Sequence, residues 1–404
     1  MQMKSQHRFA QTYVGLNTQI IPSSGLMVWN GSAHAFPRMT SPRFTIGGLH
    51  FWGKVDVNIN VPLSTRADFS LGAASEFEFT PGGDLSARYY PWRMEYGKIR
   101  PYAGLSFNEM IFGIRTEDAG ARRDLFITSS LLGGLSFAYD GWQIQAELMW
   151  LPGNKRTFFS DRNTPHTFEL PRSYVSVGVV KYFEGTLREE DDMRSGRMKE
   201  LESMFRRDGK LNSFSIAAAP SGSYFLKAPS LEDPIRQSLP RHKASFVWDW
   251  GLGYLFHDAG LHVGLSYRAY TSGVESYGLQ HLIRRQSFAL EGFKFFWDYN
   301  GFVPFVGPSI SVERWATGEF EGDVQMGTTQ RKRTISPGVI FGWDILASPL
   351  ETWVLRTNLR YYPFQKIRGT DGTIARVDQF EFNFIQLVLY PNRLLNYPKV
   401  KGRI

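Results

Sequence analysis

The sequence predicts an all-β protein, and three observations carry that prediction: strict alternation of apolar and polar residues, unusually long alternating segments, and a regular succession of short and long connections. In "KVDVNINVPL" (54–63) the valines and the isoleucine lie on one side, and Asp56, Asn58 and Asn60 lie on the other. Strict alternation is typical of a β-strand with one apolar and one polar face. The fold class depends on which face points inward, because a soluble sandwich buries the apolar face whereas a membrane barrel turns it towards lipid.

The same alternation recurs along much of the chain. Examples are "GWQIQAELMWLP" (141–152), "LHVGLSYRAY" (261–270), "TISPGVIFGWDI" (334–345) and "TWVLRTNLRYY" (352–362). The predicted strands run about 10–15 residues, whereas strands of soluble sheets average about 5–6. A membrane strand tilted by about 45° needs about 9–11 residues to cross. Strand length therefore favours a transmembrane antiparallel β-barrel over its rival, a soluble all-β protein.

The connections between the predicted strands are the third observation. The strands are predicted at 8–21, 42–51, 53–63, 83–95, 98–114, 123–139, 141–152, 172–184, 212–226, 244–256, 259–272, 285–298, 301–315, 331–346, 351–364 and 378–390. Tight connections such as "FWGK" and "YDGW" alternate with long ones at about 22–41, 64–82, 153–171, 227–243, 273–284 and 365–377. This is the pattern of barrels with short periplasmic turns and long external loops. A sandwich is not expected to keep it over so many segments.

Composition excludes several classes of site. The 404 residues include no cysteine, which rules out disulfides and thiolate metal sites, and no metal, nucleotide or other cofactor motif is present. Lys and Arg exceed Asp and Glu by 8, but no basic run or RNA-binding signature points to nucleic acid. No apolar stretch reaches about 18 residues, so no transmembrane helix is predicted. The first residues, "MQMKSQHRFAQTYVGL", lack the apolar core of a signal peptide. A cytoplasmic location would explain the lack of this core.

An internal repeat predicts two related halves. "GKIRPYAGLSFN" (97–108) aligns with "NGFVPFVGPSIS" (300–311), and each segment follows an aromatic strand and a tight turn. The prediction is a first eight-stranded half at 1–184 and a second, duplicated half at 212–391. A charged periplasmic linker with a short helix at 185–211 joins them, and a C-terminal tail follows at 392–404. Two eight-stranded barrels in tandem are one way to close these halves. A single barrel of about 16 strands needs no second closure and is the favoured prediction.

With these features the sequence resembles Gram-negative outer-membrane β-barrels of porin size. "SPGVIFGWDI", "RPYAGLSF" and the terminal "FEFNFIQLVLYP" look like membrane strands with aromatic girdles, and the resemblance covers nearly the whole chain without a family-specific motif. Similar barrels commonly end at an aromatic residue of the last strand, whereas this chain continues past Tyr390. The resemblance implies an outer-membrane location and the lipid bilayer as a partner. It also implies either envelope proteins or further copies of the chain as protein partners.

The polar faces of the strands supply the candidate site residues. If the barrel is open, inward-facing arginines such as Arg356 and Arg360 would favour anions. Alternatively, they pair with interior acids and fill the barrel. The predicted lumen-facing residues are Asp56, Asn58, Asn60, Arg100, Glu147, Arg268, Asp344, Arg356, Asn358, Arg360 and Glu381. The tryptophans predicted to lie in the lipid interface are Trp142, Trp150, Trp248, Trp250, Trp343 and Trp353.

Two other constellations give weaker signals. His262, Ser266 and Asp249 fall on the polar faces of neighbouring strands and could be sketched as a hydrolase triad, but no nucleophile turn or oxyanion donors support it. His34 and His166 fall in long loops, where exposed histidines are common, so no metal site is predicted. The leading functional prediction is a porin-like channel for small polar or anionic solutes, without enzymatic activity. The alternatives are a plugged scaffold barrel in an envelope machine for secretion, motility or assembly, and a lipid-acting barrel hydrolase.

Overall fold

The computed structural model describes residues 9–29, 32–63, 66–70, 75–116, 120–186, 196–227, 238–299, 301–345, 352–368 and 374–395. These residues form two compact units. Unit 1 comprises the described residues of Met1–Glu184, Leu231–Pro240 and Val274–Gln280, and unit 2 comprises those of Gly185–Ser230, Arg241–Gly273 and His281–Ile404.

Unit 1 is built from the strands of the first half of the chain. They are β1 (Gln11–Ile21), β2 (Leu26–Trp29), β3 (Ser32–Ala35), β4 (Met39–His50), β5 (Val55–Pro62), β6 (Ala67–Ser70), β7 (Ser75–Tyr89), β8 (Ile99–Thr116), β9 (Gly120–Tyr139), β10 (Trp142–Trp150), β11 (Lys155–Phe159), β12 (Pro165–Glu169) and β13 (Ser173–Gly185). Eight of them form an antiparallel ring in the order β1, β4, β5, β7, β8, β9, β10 and β13. Strand β1 also pairs with β13, so the ring is closed and its edge backbone groups are satisfied.

The short strands of unit 1 lie in segments that the sequence predicts as long connections. Strands β2, β3, β11 and β12 form a separate four-stranded sheet, and β6 pairs with β7 as a hairpin. The prediction of plain loops at 22–41 and 153–171 is therefore wrong. Strands of four or five residues give almost no alternation signal, and these are held in place because Trp29, Phe158 and Phe168 pack into the core of unit 1.

Unit 2 begins with a helix and continues as strands. Its elements are α1 (Gly196–Arg207), β14 (Ser213–Lys227), β15 (Ala244–Phe256), β16 (Leu261–Ser276), β17 (Leu279–Phe295), β18 (Phe302–Glu321), β19 (Val324–Ile345), β20 (Trp353–Arg368) and β21 (Ile374–Leu389). Residues 274–280, which comprise the end of β16, the turn and the start of β17, belong to unit 1. Successive strands pair from β14 to β21, and β21 pairs back onto β14. Within the described residues, no helix has the length and apolar character needed to span a membrane.

The prediction of one barrel of about 16 strands is not confirmed. The pairing of β1 with β13 and of β14 with β21 closes each half as an eight-stranded ring. An eight-stranded barrel is narrow enough for its own side chains to fill the interior, which removes the need for a larger common ring. The repeated motif occupies the same place in both rings, because Pro101 lies in β8 and Pro304 in β18, the fifth strand of each.

The polar faces of the ring strands point inward. Along β10 exposed and buried residues alternate without a break, so Gln143, Gln145 and Glu147 are buried while Trp142 and Leu148 are exposed. Strand β5 behaves in the same way, since its Asp and Asn side chains are buried and its apolar side chains are partly or fully exposed. This arrangement is the reverse of a soluble sandwich and matches the polar interior of a membrane barrel.

Several predicted connections in the second half are also strand. Strands β16 and β17 meet at Tyr277 and Gly278, whose φ angles of 50° and 78° suit a two-residue hairpin turn. Strand β18 continues to Glu321 and strand β19 begins at Val324, so both strands are longer than predicted. The predicted connection 365–377 is shortened by β20 and β21, and its centre, 369–373, lies outside the described residues. In the β19 extension polar residues occupy both faces, Gln325 and Thr329 on one and Thr328 and Gln330 on the other, which hides the alternation.

Candidate functional site inside the barrels

The polar faces of the unit 1 strands meet around Arg88, a residue of β7 that is 1% exposed. Its guanidinium lies 3.2 Å from Asp56 Oδ2 on the neighbouring β5 and 2.7 Å from Glu147 Oε2 on β10, three strands further round the ring. Gln145 Oε1 accepts a hydrogen bond from it at 2.7 Å, and the Tyr13 hydroxyl donates to Asp56 at 2.5 Å. Because its partners come from separate parts of the ring, Arg88 bridges the interior.

A second ion pair lies in the same interior. Arg43 of β4 pairs with Asp84 of β7. Asn60 donates to the same carboxylate at 2.8 Å and accepts a hydrogen bond from Thr45 at 2.6 Å. Buried charges are costly unless they are paired and hydrogen-bonded, and these contacts meet that requirement.

Both ends of the unit 1 interior contain packed aromatic rings. At the short-turn end the Tyr90 hydroxyl lies 3.0 Å from Ser136 Oγ, and Gln143 donates to both groups. At the opposite end, which carries the long connections, the four-stranded sheet packs against β7 and β8. The buried aromatic residues there are Trp29, Phe36, Phe77, Phe79, Phe112, Phe158 and Phe168. Packed rings therefore fill this end of the unit 1 interior.

Unit 2 contains a larger network, with Arg360 of β20 at its centre. The guanidinium of Arg360 binds Glu291 of β17 at 2.6 and 3.0 Å and Asp249 of β15 at 2.8 Å. Each of these strands lies three positions from β20 in the ring. Asn358 accepts a further hydrogen bond from Arg360 at 2.8 Å, and Asn383 donates to Asp249.

Two more arginines extend this network. Arg268 of β16 lies 3.1 Å from Glu381 of β21 and donates to the Tyr362 hydroxyl at 2.7 Å. Arg285 of β17 makes hydrogen bonds of 2.7 and 2.8 Å to the two oxygens of Glu313, and it also pairs with Glu381. Glu381 therefore bridges two guanidiniums that come from two different strands.

A separate pair lies towards the short-turn end of unit 2. Arg356 binds both oxygens of Asp344, at 2.6 and 2.8 Å, and its guanidinium lies 5.0 Å from the ring centre of Phe293 and 5.3 Å from that of Phe305. The cavity left between this pair and Arg360 measures about 20 Å³. That volume suits about one water molecule, and it is too small for a solute.

The interior charges nearly cancel. The described ion pairs at the centre of unit 1 contain two arginines, Arg43 and Arg88, and three acids, Asp56, Asp84 and Glu147. In unit 2 four arginines, Arg268, Arg285, Arg356 and Arg360, face five acids, Asp249, Glu291, Glu313, Asp344 and Glu381. Each of these networks therefore has one formal negative charge more than positive. The net positive charge of the chain lies elsewhere.

The structure brings most of the predicted lumen-facing residues into these networks. Asp56, Asn58, Asn60, Glu147, Arg268, Asp344, Arg356, Asn358, Arg360 and Glu381 are all at most 4% exposed. Arg100 differs, because it lies at the short-turn end, where its guanidinium is 3.0 Å from Glu95 Oε2 and donates to the Arg93 carbonyl oxygen. A hydrogen bond from Lys98, together with the charge of Arg100, lowers the pKa of Glu95.

Sequence reasoning missed several members of the networks. Arg88 and Arg285 are among the largest fully buried side chains, and the buried acids Asp84, Glu291 and Glu313 are further members of the networks. The alternation that places two of them inside is visible in "RRQSFALEGF", where Arg285 and Glu291 share one face of the strand with Ser287. The cross-ring partners were not deducible, because alternation gives the face of a residue but not its neighbour three strands away.

The sketched hydrolase triad does not assemble. His262 Nε2 lies 2.9 Å from Ser215 Oγ, and the imidazole stacks on Phe293. Ser266 donates to Glu291 at 2.9 Å, while Asp249 is held by Arg360. Each of the three side chains therefore has a different partner, and none of these contacts joins His262 to Ser266 or to Asp249.

The predicted interfacial tryptophans fall into two groups. Trp142, Trp150, Trp248 and Trp250 are between 46% and 53% exposed on the outer faces of their strands. Trp142 also lies under the Lys181 ammonium, 4.8 Å from its ring centre. Trp343 and Trp353 are only partly exposed, and Trp343 stacks on Phe302 with ring centres 5.7 Å apart.

The two loop histidines do not come together as ligands. His166 packs against the rings of Trp29 and Phe158, and its Nε2 is 2.9 Å from Ser160 Oγ. His34 lies opposite Met27 in the register of β2 and β3. In the part of the chain that the structure describes, no group of three or more His, Cys, Asp or Glu side chains is placed to hold a metal ion.

Solved structures with some likeness to this chain are outer-membrane proteins. Neisserial surface protein A is 15% identical and has a TM-score of 0.30; the match covers 45% of this chain and 97% of that one. The outer membrane protein AlkL is 15% identical with a TM-score of 0.34, over 46% of this chain and 96% of that one. An outer membrane channel from Pseudomonas putida F1 is 10% identical with a TM-score of 0.23, over 95% and 97% of the two chains.

No protein-family model matches the sequence, and no curated protein is significantly similar to it. The resemblance to outer-membrane β-barrels is nevertheless confirmed at the level of architecture by the molecule itself. It has closed antiparallel rings with polar residues inside and apolar residues outside.

Proposed function

We propose that this chain is a sealed β-barrel protein of the Gram-negative outer membrane that docks other envelope proteins and has no enzymatic activity. The observation that carries the proposal is the pairing of interior arginines with acids on distant strands of the same ring. A solute pathway through unit 2 would have to separate Arg360 from Glu291 and Asp249, and each contact is shorter than 3.1 Å. Breaking a buried pair typically costs about 3–5 kcal/mol.

The outer surfaces support the membrane location. Apolar side chains such as Leu265, Ile310 and Leu148 are 54% to 62% exposed on the outward faces of their strands. Exposing so much apolar surface to water would be unfavourable, whereas lipid removes that cost. Exposed tryptophans near the ends of β10, at positions 142 and 150, are typical of the two interfaces of a bilayer.

The short-turn end of unit 2 supplies a structured surface for a partner. Helix α1 buries Phe205, and Arg206 lies 3.5 Å from Asp258 in the β15–β16 turn. Arg393 donates to Ser213 Oγ at 2.7 Å, which holds the turn of helix after β21 against the start of β14. The neighbouring Leu394 is 62% exposed. An ordered surface with an exposed leucine favours protein docking at this end.

Planar-bilayer recording of the purified protein tests the proposal. We expect insertion without stable conductance steps, because the paired interiors leave no continuous wet path. Insertion is checked separately by flotation of the protein with phosphatidylcholine vesicles. Stable anion-preferring steps would contradict the sealed barrel and favour the alternative, a channel for small polar or anionic solutes.

The channel alternative has a test of its own. If the barrel conducts, changing Arg356 and Arg360 to Glu should reverse the ion preference, because charged rings set selectivity in pores. Unchanged selectivity in an open channel would refute a role for these arginines in conduction. The third candidate, a lipid-acting hydrolase, is the least supported, because His262 and Ser266 bind other groups.

A further inference from the structure

A cluster of arginines without acid partners among the described residues lies on the outer wall of unit 2. Arg284 of β17, Arg314 of β18, and Arg331 and Arg333 of β19 are exposed and line one groove of about 750 Å³. We call these four residues the outer-wall arginine cluster. No acid contributes to the lining of the groove. Among the residues that the structure describes, none of the four guanidiniums pairs with a carboxylate.

Two of these arginines face each other directly. In the register of β18 and β19, Arg314 lies opposite Arg333. Like charges at directly opposite positions destabilise a sheet. The interior arginines of unit 2, in contrast, have acid partners, as Arg285 has with Glu313. The sequence therefore leaves an uncompensated positive site here, which an external anion would stabilise.

The position of the cluster identifies the source of that anion. On the same outward face, Val312 precedes Arg314 by two residues and is 47% exposed, and Ile335 follows Arg333 by two residues and is 74% exposed. Two residues of strand span about 7 Å. The groove thus begins where the apolar outer belt ends, at the level of lipid headgroups.

We propose that the outer-wall arginine cluster binds the phosphate of an anionic lipid in the leaflet on the long-connection side. Guanidinium groups match phosphate oxygens in charge and geometry, and two of them from adjacent strands can share one phosphate. The apolar belt below the groove accommodates the acyl chains of the same lipid. This inference depends on the membrane location proposed above, which the flotation assay tests separately.

Native mass spectrometry of the full chain in detergent tests the binding. The delipidated protein is mixed with phosphatidylglycerol or with phosphatidylcholine of the same acyl chains, and the retained lipid is counted. We expect a preference for phosphatidylglycerol that falls about tenfold or more in Arg314→Gln/Arg333→Gln. If that variant does not fold, Arg284→Gln/Arg331→Gln removes two other members of the cluster, with the same expectation.

Unit 1 offers a matched control. Arg115 and Arg123 are also exposed, but each has an acid at the directly opposite position of the strand register, Glu76 for Arg115 and Glu275 for Arg123. We expect Arg115→Gln/Arg123→Gln to retain phosphatidylglycerol as the wild type does. Equal retention of the two lipids, unchanged retention in the cluster variants, an equal loss in the control, or binding of inorganic phosphate without lipid would each overturn the proposal. Failure of the wild type to float with phosphatidylcholine vesicles would instead reject the membrane location.

Discussion

Arg356 and Asp344 lie directly opposite each other in the register of β20 and β19, and the guanidinium binds both carboxylate oxygens, at 2.6 and 2.8 Å. Both side chains are at most 4% exposed. A two-point contact of this kind fixes the orientation of both groups. The pair shows how the ring interiors are filled, with each charge held by a partner and no water needed between them.

Removing one member of this pair should be costly. Arg356→Gln leaves Asp344 buried without its counter-ion, so we expect the free energy of unfolding to fall by about 3–5 kcal/mol. Arg356→Gln combined with Asp344→Asn should lose less than the sum of the single changes, because neither charge is then left alone. Urea unfolding of the protein in lipid vesicles, followed by tryptophan fluorescence, measures both effects.

An exposed pair provides the control for that experiment. The side chains of Arg66 and Asp68 are 56% and 54% exposed, with 2.7 Å between the charged atoms. Solvent screens such a pair, so Arg66→Gln should be nearly neutral. An equal loss of stability in Arg66→Gln and Arg356→Gln would contradict the view that burial makes the Arg356–Asp344 pair important.

The outward face of β5 can be tested by placing a charge on it. Val57 alternates with the buried Asp56 and Asn58, so its side chain points outward. Val57→Arg should cost about 2–4 kcal/mol of barrel stability in a bilayer, because lipid cannot solvate the charge. Val57→Thr keeps the shape without the charge and should cost much less. If the two variants fold equally well in vesicles, this face does not contact lipid.

The faces of the strands were predictable from sequence, whereas the closure of the rings was not. Alternation assigned Asp56 and Glu147 to the interior because side-chain direction has a period of two along any strand. One ring of about 16 strands and two rings of eight give the same alternation. The difference depends on whether β1 meets β13 and whether β14 meets β21, which are pairings over long sequence separations. For the same reason the sequence predicted that Arg360 is inside but not that Glu291 holds it.

The equivalent glycines of the repeated motif should be equally intolerant of a side chain. A Cβ on Gly104 of β8 would overlap the carbonyl oxygen of Ala87, and a Cβ on Gly307 of β18 would overlap that of Gly292. We expect Gly104→Ala and Gly307→Ala each to cost about 1–3 kcal/mol, the usual penalty of overpacking. Similar losses at the two positions would support the proposal that the halves arose by duplication.

Gly292 itself is the matched control for Gly307. It lies on the adjoining strand, and a Cβ added there would have no neighbour within 4 Å. Gly292→Ala should therefore leave the unfolding midpoint nearly unchanged in the same vesicle assay. A loss as large as that of Gly307→Ala would mean that the effect comes from the substitution as such and not from the close approach of the two strands.

A histidine pair at the long-connection end of unit 2 should make stability depend on pH. His242 precedes β15; its Nδ1 lies 2.8 Å from Ser272 Oγ and its Nε2 lies 2.7 Å from His281 Nδ1. Burial, reinforced by His281, lowers the pKa of His242 to about 3. An unfolded histidine has a pKa of about 6.5, so the unfolded chain takes up a proton that the folded chain does not as the pH falls below that value. We therefore expect the free energy of unfolding to decrease steadily between pH 6.5 and pH 5.

His242→Asn isolates this contribution. Asparagine keeps a donor and an acceptor near Ser272 but does not titrate in this range. The variant should be less stable than the wild type at pH 7.5, because it loses a buried contact, yet its stability should fall less steeply towards pH 5. Urea unfolding at several pH values gives the two slopes. Identical slopes would show that other groups cause the acid sensitivity, and a steeper slope in the variant would reverse the sign argued from the lowered pKa of His242.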